Sequence, residues 1–155
     1  MKKQILIMTV LLTGIFSETV FAASTEETAR KFYSAIDEAD AKTIQSIASS
    51  DFQFYNPFGP AMNAEGLTGF SSAVKSSFSG AQHQIRQVIS TSNVATVIGT
   101  FTGKNTASFN GIPPTNKDVS VDFITVFEFD NAGKIKKMTA QNNSYSFMVQ
   151  LGVAT

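Results

Sequence analysis

The chain has 155 residues, with 12 basic and 12 acidic side chains, one histidine and no cysteine. A balanced charge excludes the whole-molecule field that gathers nucleic acid or an anionic membrane, and a lone histidine without cysteine excludes the usual zinc, iron-sulfur and haem ligand sets within one chain. With no disulfide to help, stability rests on burial, for which 14 phenylalanines supply the area.

Residues 1–22, MKKQILIMTVLLTGIFSETVFA, set Lys2 and Lys3 before an apolar run from Ile5 to Phe16 and close on Val20-Phe21-Ala22. Basic start, short apolar run and small-residue end form the pattern of a bacterial-type secretory signal peptide. The run falls short of the roughly 20 residues that cross a bilayer as a permanent helix. The expectation is a cleaved leader followed by one secreted or periplasmic domain over residues 23–155, free of the membrane once the leader is removed. Loss of Lys2, Lys3 and Glu18 leaves 10 basic and 11 acidic residues, still close to neutral.

Ser24-Thr25-Glu26-Glu27 has the spacing of a capping box, and Ala29, Phe32, Tyr33 and Ile36 recur behind it at three- and four-residue intervals. That spacing predicts a helix with one apolar stripe. Asp40 is placed to cap a second, short helix that buries Ile44, Ile47 and Ala48. Phe52 and Phe54 then alternate with Gln53 and Tyr55, the period of a half-buried strand, until Asn56-Pro57 ends it. After a loop, Leu67, Phe70, Val74 and Phe78 predict a third helix stopping at Ser79-Gly80.

From Gln84 the two-residue period persists, predicting strands over 84–91, 94–104, 118–129 and 134–141. Over 119–129 the odd positions form a core face. The even positions are polar at both ends but apolar at Ile124 and Val126, so a partner subunit is expected to cover their centre. Asn131 and Gly133 suit the tight turn between the last two strands. Gly111-Ile112-Pro113-Pro114-Thr115-Asn116 joins the previous pair; its prolines offer no amide donor, so it forms a rigid lip and cannot zip into the sheet. Helices followed by an antiparallel meander describe an α+β domain with helices covering one face of a curved sheet.

The segments GKNTASFNGIPPTNKDVSV (103–121), FEFDNAGKI (127–135) and VQLG (149–152), with KFYSAIDEADAKTIQSIASSDFQFYNP (31–57) and AEGLTGF (64–70) before them, resemble the SnoaL-like polyketide cyclase (ester cyclase) family of the NTF2-like superfamily. The resemblance implies a cone: a strongly curved antiparallel sheet covered by three to four helices, enclosing an apolar cavity, often a homodimer through the outer sheet face. It implies no metal and no cofactor. In the family's cyclases an aspartate near the last strand is the acid/base for an intramolecular aldol closure. Here that position falls on Asn143, with Asn142 the nearest alternative, while the family's His-Trp pair falls on Met138 and Thr139 and its strand histidine on Asn105.

An amide takes no proton, and a positioned general base is worth about 100- to 10,000-fold in rate. The expectation is therefore a domain that binds a small hydrophobic or aromatic molecule without the family's aldol chemistry. The alternative is a cofactor-independent ester cyclase, isomerase or lyase-like enzyme with His83 as base and Tyr55 or Tyr145 as proton donor.

His83 shares a strand face with Ile85, and is either a base or ligand anchor in a cavity or a hydrogen-bonded histidine at a strand edge. Asn143 and Asn105 are candidates to bond a ligand's carbonyl or hydroxyl, and Asn143 is equally placed to cap a final helix from Ser144. Phe54, Phe109, Phe123 and Met138 are candidate pocket walls. Glu65 is accounted for by the helix that starts beside it. Asp122 and Glu128 share a strand face but lie about 20 Å apart, too far for paired acid/base work. GTFTGKN, from Gly99, is one residue short of a phosphate loop and interrupts a strand, so it is rejected.

Overall fold

A computed structural model describes residues 24–154. The leader read at residues 1–22 lies outside the described residues. Helix α1 (Thr25–Glu38) starts where the Ser24 hydroxyl accepts from the Glu27 N–H at 3.1 Å, and it ends at Ala39, whose φ of 53° turns the chain left-handed. Asp40 at once caps α2 (Ala41–Ile47) by accepting from the Thr43 N–H. Then follow β1 (Ala48–Tyr55), α3 (Ala64–Ser77), β2 (Phe78–Ser90), β3 (Val94–Asn105), β4 (Asp118–Phe129), β5 (Ile135–Asn142) and α4 (Ser144–Leu151).

The architecture is α+β, four helices on a five-stranded curled sheet of the NTF2-like kind, with strand order β1-β5-β4-β3-β2. β2 to β5 form the expected antiparallel meander, whereas β1 pairs with β5 in parallel. Register shifts in β2, between Ser79 and Gln82 and between Ile85 and Gln87, bend that edge strand. Gly80, at φ 68°, takes the left-handed turn that the first bulge needs.

Two sequence boundaries need correction: the second helix stops at Ile47, so Ala48, expected within it, opens β1 in extended geometry. The third helix stops at Ser77, and Phe78 opens β2 in extended geometry while its N–H still closes on the Val74 carbonyl. Phe78 satisfied the helical spacing because its ring is wanted inward in either conformation: it is 1% exposed. β2 consequently begins six residues before the expected Gln84.

The inward side chains fall into two groups. The larger joins α1, α2, β1 and the middle of the sheet, with Phe32 edge-on to Phe52 at 5.8 Å and to Phe127 at 5.9 Å. The smaller gathers Phe78, Phe109, Val119, Val121, Phe147 and Leu151 under α4 and the proline connection. Phe70 and Phe101 pack against both. β4 shows the predicted alternation, with Val119, Val121, Phe123, Thr125, Phe127 and Phe129 all buried.

On the opposite face of β4, Ile124 remains 51% exposed and lies across from Ile98 on β3. Asp122 on that face pairs with Arg86 at 2.6 Å and Glu128 with Lys137 at 3.1 Å, so these two carboxylates are surface ion pairs. Among the described residues no helix is long and apolar enough to cross a membrane.

Candidate functional site

The two hydrophobic groups do not close completely on each other. Between them lies a cavity of about 120 Å³, walled by α1, α3, α4 and the inner sheet face. Tyr33, Phe54 and Phe123 line it from the larger group, Phe78, Phe109 and Phe147 from the smaller. Phe109 is delivered by the proline connection, where it bridges to Ile112. The rigid lip read from the sequence thus carries one of the cavity's walls.

A carboxylate and an imidazole meet within this largely apolar lining. Asp37, in the last turn of α1, receives the backbone N–H of His83 at 3.0 Å through one carboxylate oxygen and faces ring Nδ1 at 2.5 Å through the other. An ionised carboxylate only accepts, so Nδ1 carries a proton toward Asp37. The imidazole is packed among aromatic rings, with centroids at 4.9 Å to Tyr33, 5.1 Å to Phe101 and 5.3 Å to Phe123. Asp37 and His83 also line a polar surface groove with Arg30, Ser34, Glu38 and Gln82, so the pair stands in the wall between cavity and surface.

Tyr33 and Thr125 form the second polar feature. Their hydroxyls meet at 2.5 Å and both residues are buried. Burial, reinforced by the charge of Asp37 and opposed by the Thr125 bond, holds the Tyr33 phenol above the ordinary tyrosine range and so keeps it protonated. The polar lining also includes Ser71, Lys75 and the amides of Gln141, Asn142 and Asn56. Asn142 is in the wall and accepts from the Ser144 hydroxyl at 2.7 Å. Asn56 accepts from the Phe58 N–H at 2.8 Å, which fixes its oxygen, and its buried Nδ2 has no partner among the described residues.

Of the residues proposed from sequence, His83, Phe54, Phe109, Phe123 and Met138 line the cavity. Asn143 does not. It is exposed and caps α4, accepting from the Ser146 N–H at 2.9 Å, because β5 runs to Asn142, which lies in the wall instead. Asn105 is fully buried but belongs to the proline connection: its amide donates to the Ala107 carbonyl at 2.8 Å and its oxygen accepts from the Thr115 N–H at 2.8 Å. Tyr55 and Tyr145 lie outside the lining, 43% and 65% exposed, and Tyr55 has Lys137 over its ring. The phenol beside His83 is Tyr33.

Sequence reading missed Asp37, Tyr33 and Asn56 as wall residues, while Asn142, the alternative it gave for the family's aspartate position, is in the wall. A signal for the first two was present, since Tyr33 and Asp37 are four residues apart on the stripe that also holds Ala29 and Ile36. A carboxylate at the margin of an apolar stripe needs a partner across the packing interface. The amide at the end of the last strand is thus joined in the wall by a carboxylate that comes from the first helix. Among the described residues, no group of three or more histidine, cysteine, aspartate or glutamate side chains is assembled that could hold a metal ion.

A curved sheet, four helices and an apolar cavity with a buried polar pair define an NTF2-like domain. The sequence over residues 29–138 matches the model of the SnoaL-like domain, and the chain belongs to that family. No curated protein matches the sequence. Among solved structures the chain is similar to IdmH of Streptomyces antibioticus, named as a polyketide cyclase, at 18% identity and a TM-score of 0.73, covering 84% of this chain and all of that one. It is similar to a protein of Jannaschia sp. CCS1 named as a SnoaL-like polyketide cyclase, at 18% identity and a TM-score of 0.75 over 84% and 93% of the two chains. A protein with a ketosteroid isomerase-like fold from Catenulispora acidiphila DSM 44928 superimposes at 0.68 and 14% identity, over 84% and 95%. At these identities the likeness concerns the fold.

Proposed function

We propose that this SnoaL-like domain takes up a small apolar or aromatic molecule in the cavity between its two hydrophobic groups. The observation that carries the reading is the lining, in which Phe54, Phe70, Phe101, Phe123 and Met138 surround the space and polar groups are few. Small-molecule sites are commonly of this kind, apolar with a handful of placed polar groups. Relatives in fold named as polyketide cyclases support a ligand bearing carbonyl or phenol oxygen. The test is a titration of the purified domain with aromatic ketones, phenols and esters. A ligand at 100 times its Kd stabilises the fold by about 2.7 kcal/mol, which a melting curve resolves. A folded sample that shows neither saturation nor a shift with any of them sinks the reading.

The contact between Asp37 and His83 favours a second reading, that of a cofactor-independent isomerase, lyase or ester cyclase with His83 as base. Nε2 takes a proton from the carbon next to a carbonyl, leaving an enolate, and Asp37 balances the imidazolium that forms. Its test is uptake of deuterium from D2O beside the carbonyl of an aryl alkyl ketone. His83→Gln is expected to slow that uptake at least about 100-fold. Equal rates in both proteins exclude the enzyme while leaving the binding reading intact.

The same proposal has the leader carry the domain to the periplasm or the medium and has two copies pair through the outer sheet face. Exposed Ile89 and Ile124 support the pairing, and the leader pattern supports export. Amino-terminal sequencing of exported material is expected to begin at Ala23; material retained in the cytoplasm with Met1 in place contradicts export.

A further inference from the structure

We propose that the side-chain amide of Asn56 orients the cavity's ligand by donating to a carbonyl oxygen carried on an otherwise apolar molecule. The inference rests on the binding reading above and adds the residue and the chemical group it selects. Asn56 follows β1, where Phe54 is buried and Tyr55 faces out, so the strand's alternation turns Asn56 back to the cavity side. Pro57 restricts the backbone before it to extended geometry, which holds the amide in place. The Phe58 N–H engages the amide oxygen at 2.8 Å, and that bond tells the two ends of the amide apart. Nδ2 is the end left over. It is buried without an acceptor, and no other buried side-chain nitrogen or oxygen among the described residues lacks a partner.

A buried donor without an acceptor is costly, and it is relieved when a molecule from outside the chain brings one. The neighbouring wall residues do not bring one. β1 pairs Phe54 with Met138 and Tyr55 with Thr139, and that parallel register, continued by one residue, sets Asn56 beside Ala140, whose methyl group accepts nothing. Ala140 in turn lies opposite Thr125, about 10 Å from Asn56 by strand spacing, and the Thr125 hydroxyl is taken up by Tyr33 at 2.5 Å. All three residues of this row line the cavity, with the smallest in the middle. The position of Asn56 also sets an orientation. Pro57, Phe58, Lys75 and Gln141 are the exposed members of the lining and mark the cavity's mouth. An oxygen held by Asn56 therefore stands at the entrance, and the ligand's apolar body runs inward among the buried Phe54, Phe78 and Phe123. Phe58 is 36% exposed and has solvent to swing into, so the wall next to the amide can open to admit that oxygen. A neutral amide N–H selects an acceptor such as a ketone, ester or quinone carbonyl; a hydrocarbon of the same shape leaves it unpaired.

The experiment is 1H–15N NMR of the intact domain titrated with acetophenone and with α-methylstyrene, its isostere with a methylene in place of the carbonyl oxygen. Acetophenone is expected to move the Asn56 side-chain amide protons downfield, the sign of a hydrogen bond gained, and α-methylstyrene to leave them in place. Asn56→Leu keeps the volume and removes the donor. It is expected to lower the ratio of ketone to alkene affinity at least about fivefold, because only the ketone loses a partner, and the ratio cancels the two ligands' different solubility in water. Should that variant not fold, the amide shifts in the unaltered protein decide the question alone. Ketone binding with those protons unmoved, or with the same affinity ratio in both proteins, overturns the role given to Asn56 and leaves the binding reading standing. Failure of both molecules to bind overturns both.

Discussion

Asp37 and His83 meet at two points, backbone N–H at 3.0 Å and ring Nδ1 at 2.5 Å, although 46 residues separate them. The double contact ties the end of α1 to the sheet's edge strand and sets the imidazole's tautomer. Asp37→Asn keeps an oxygen for the backbone N–H but loses the charge that fixes the ring. The variant is expected to fold, to lose the 15N signature of the Nδ1-protonated tautomer, and to slow any His83-dependent deuterium uptake by at least about 100-fold. An unchanged tautomer in that variant contradicts the role given to Asp37.

Tyr33 predicts an alkaline effect. Burial, with Asp37 assisting, raises its phenol above the ordinary range. In the unfolded chain tyrosine ionises near pH 10, so above about pH 10 the native state binds more protons and stability falls as pH rises. Below that pH the contribution is whole. Tyr33→Phe is expected to cost about 1–3 kcal/mol at pH 7, by leaving the buried Thr125 hydroxyl unpaired, and to lose less stability than the unaltered protein between pH 10 and 11. Urea titrations at the three pH values check it. A difference that does not change with pH refutes the assignment.

The two asparagines part company in a stability experiment. Asn105→Ala removes several buried hydrogen bonds from the proline connection and is expected to cost about 3 kcal/mol. Asn143→Ala removes a helix cap, costing about 1 kcal/mol, with ligand affinity unchanged. A large loss of affinity from Asn143→Ala at preserved stability would return that residue to the site.

Gly99 sits where two strands and a ring converge. A Cβ there would stand 2.6 Å from the Gln84 carbonyl oxygen and 2.6 Å from Cζ of Phe123. Both contacts have to give, so the β2–β3 pairing at Gln84 is strained and Phe123 is displaced within the cavity wall. Gly99→Ala is expected to destabilise by about 1–3 kcal/mol and to weaken aryl ketone binding. A variant with native melting temperature and affinity would show that the sheet is looser than this contact requires.

Ile124→Glu tests the outer face. The side chain is half exposed and opposite Ile98, at the apolar centre of the sheet's outer surface. Sedimentation is expected to find a dimer for the unaltered protein and a monomer for the variant, both folded. A monomer in both cases refutes the pairing.

The caps at Ser24 and Asp40, the alternation through β4 and the turn at Gly133 were legible because each depends on neighbours within a few residues. The family was legible for a related reason, since its segments carry the turns and core positions that the fold cannot exchange freely. The end of α3 was not, because an inward Phe78 satisfies a helix and a strand alike. Which asparagine faced inward turned on a single residue of register where β5 gives way to α4, a choice made by packing and hidden from spacing. The sequence by itself determined the elements, their buried sides and the family. Only the tertiary structure decided that Asp37 reaches His83, that Tyr33 is the neighbouring phenol and that a cavity remains between the two hydrophobic groups, because these follow from how curved layers settle against one another across the chain.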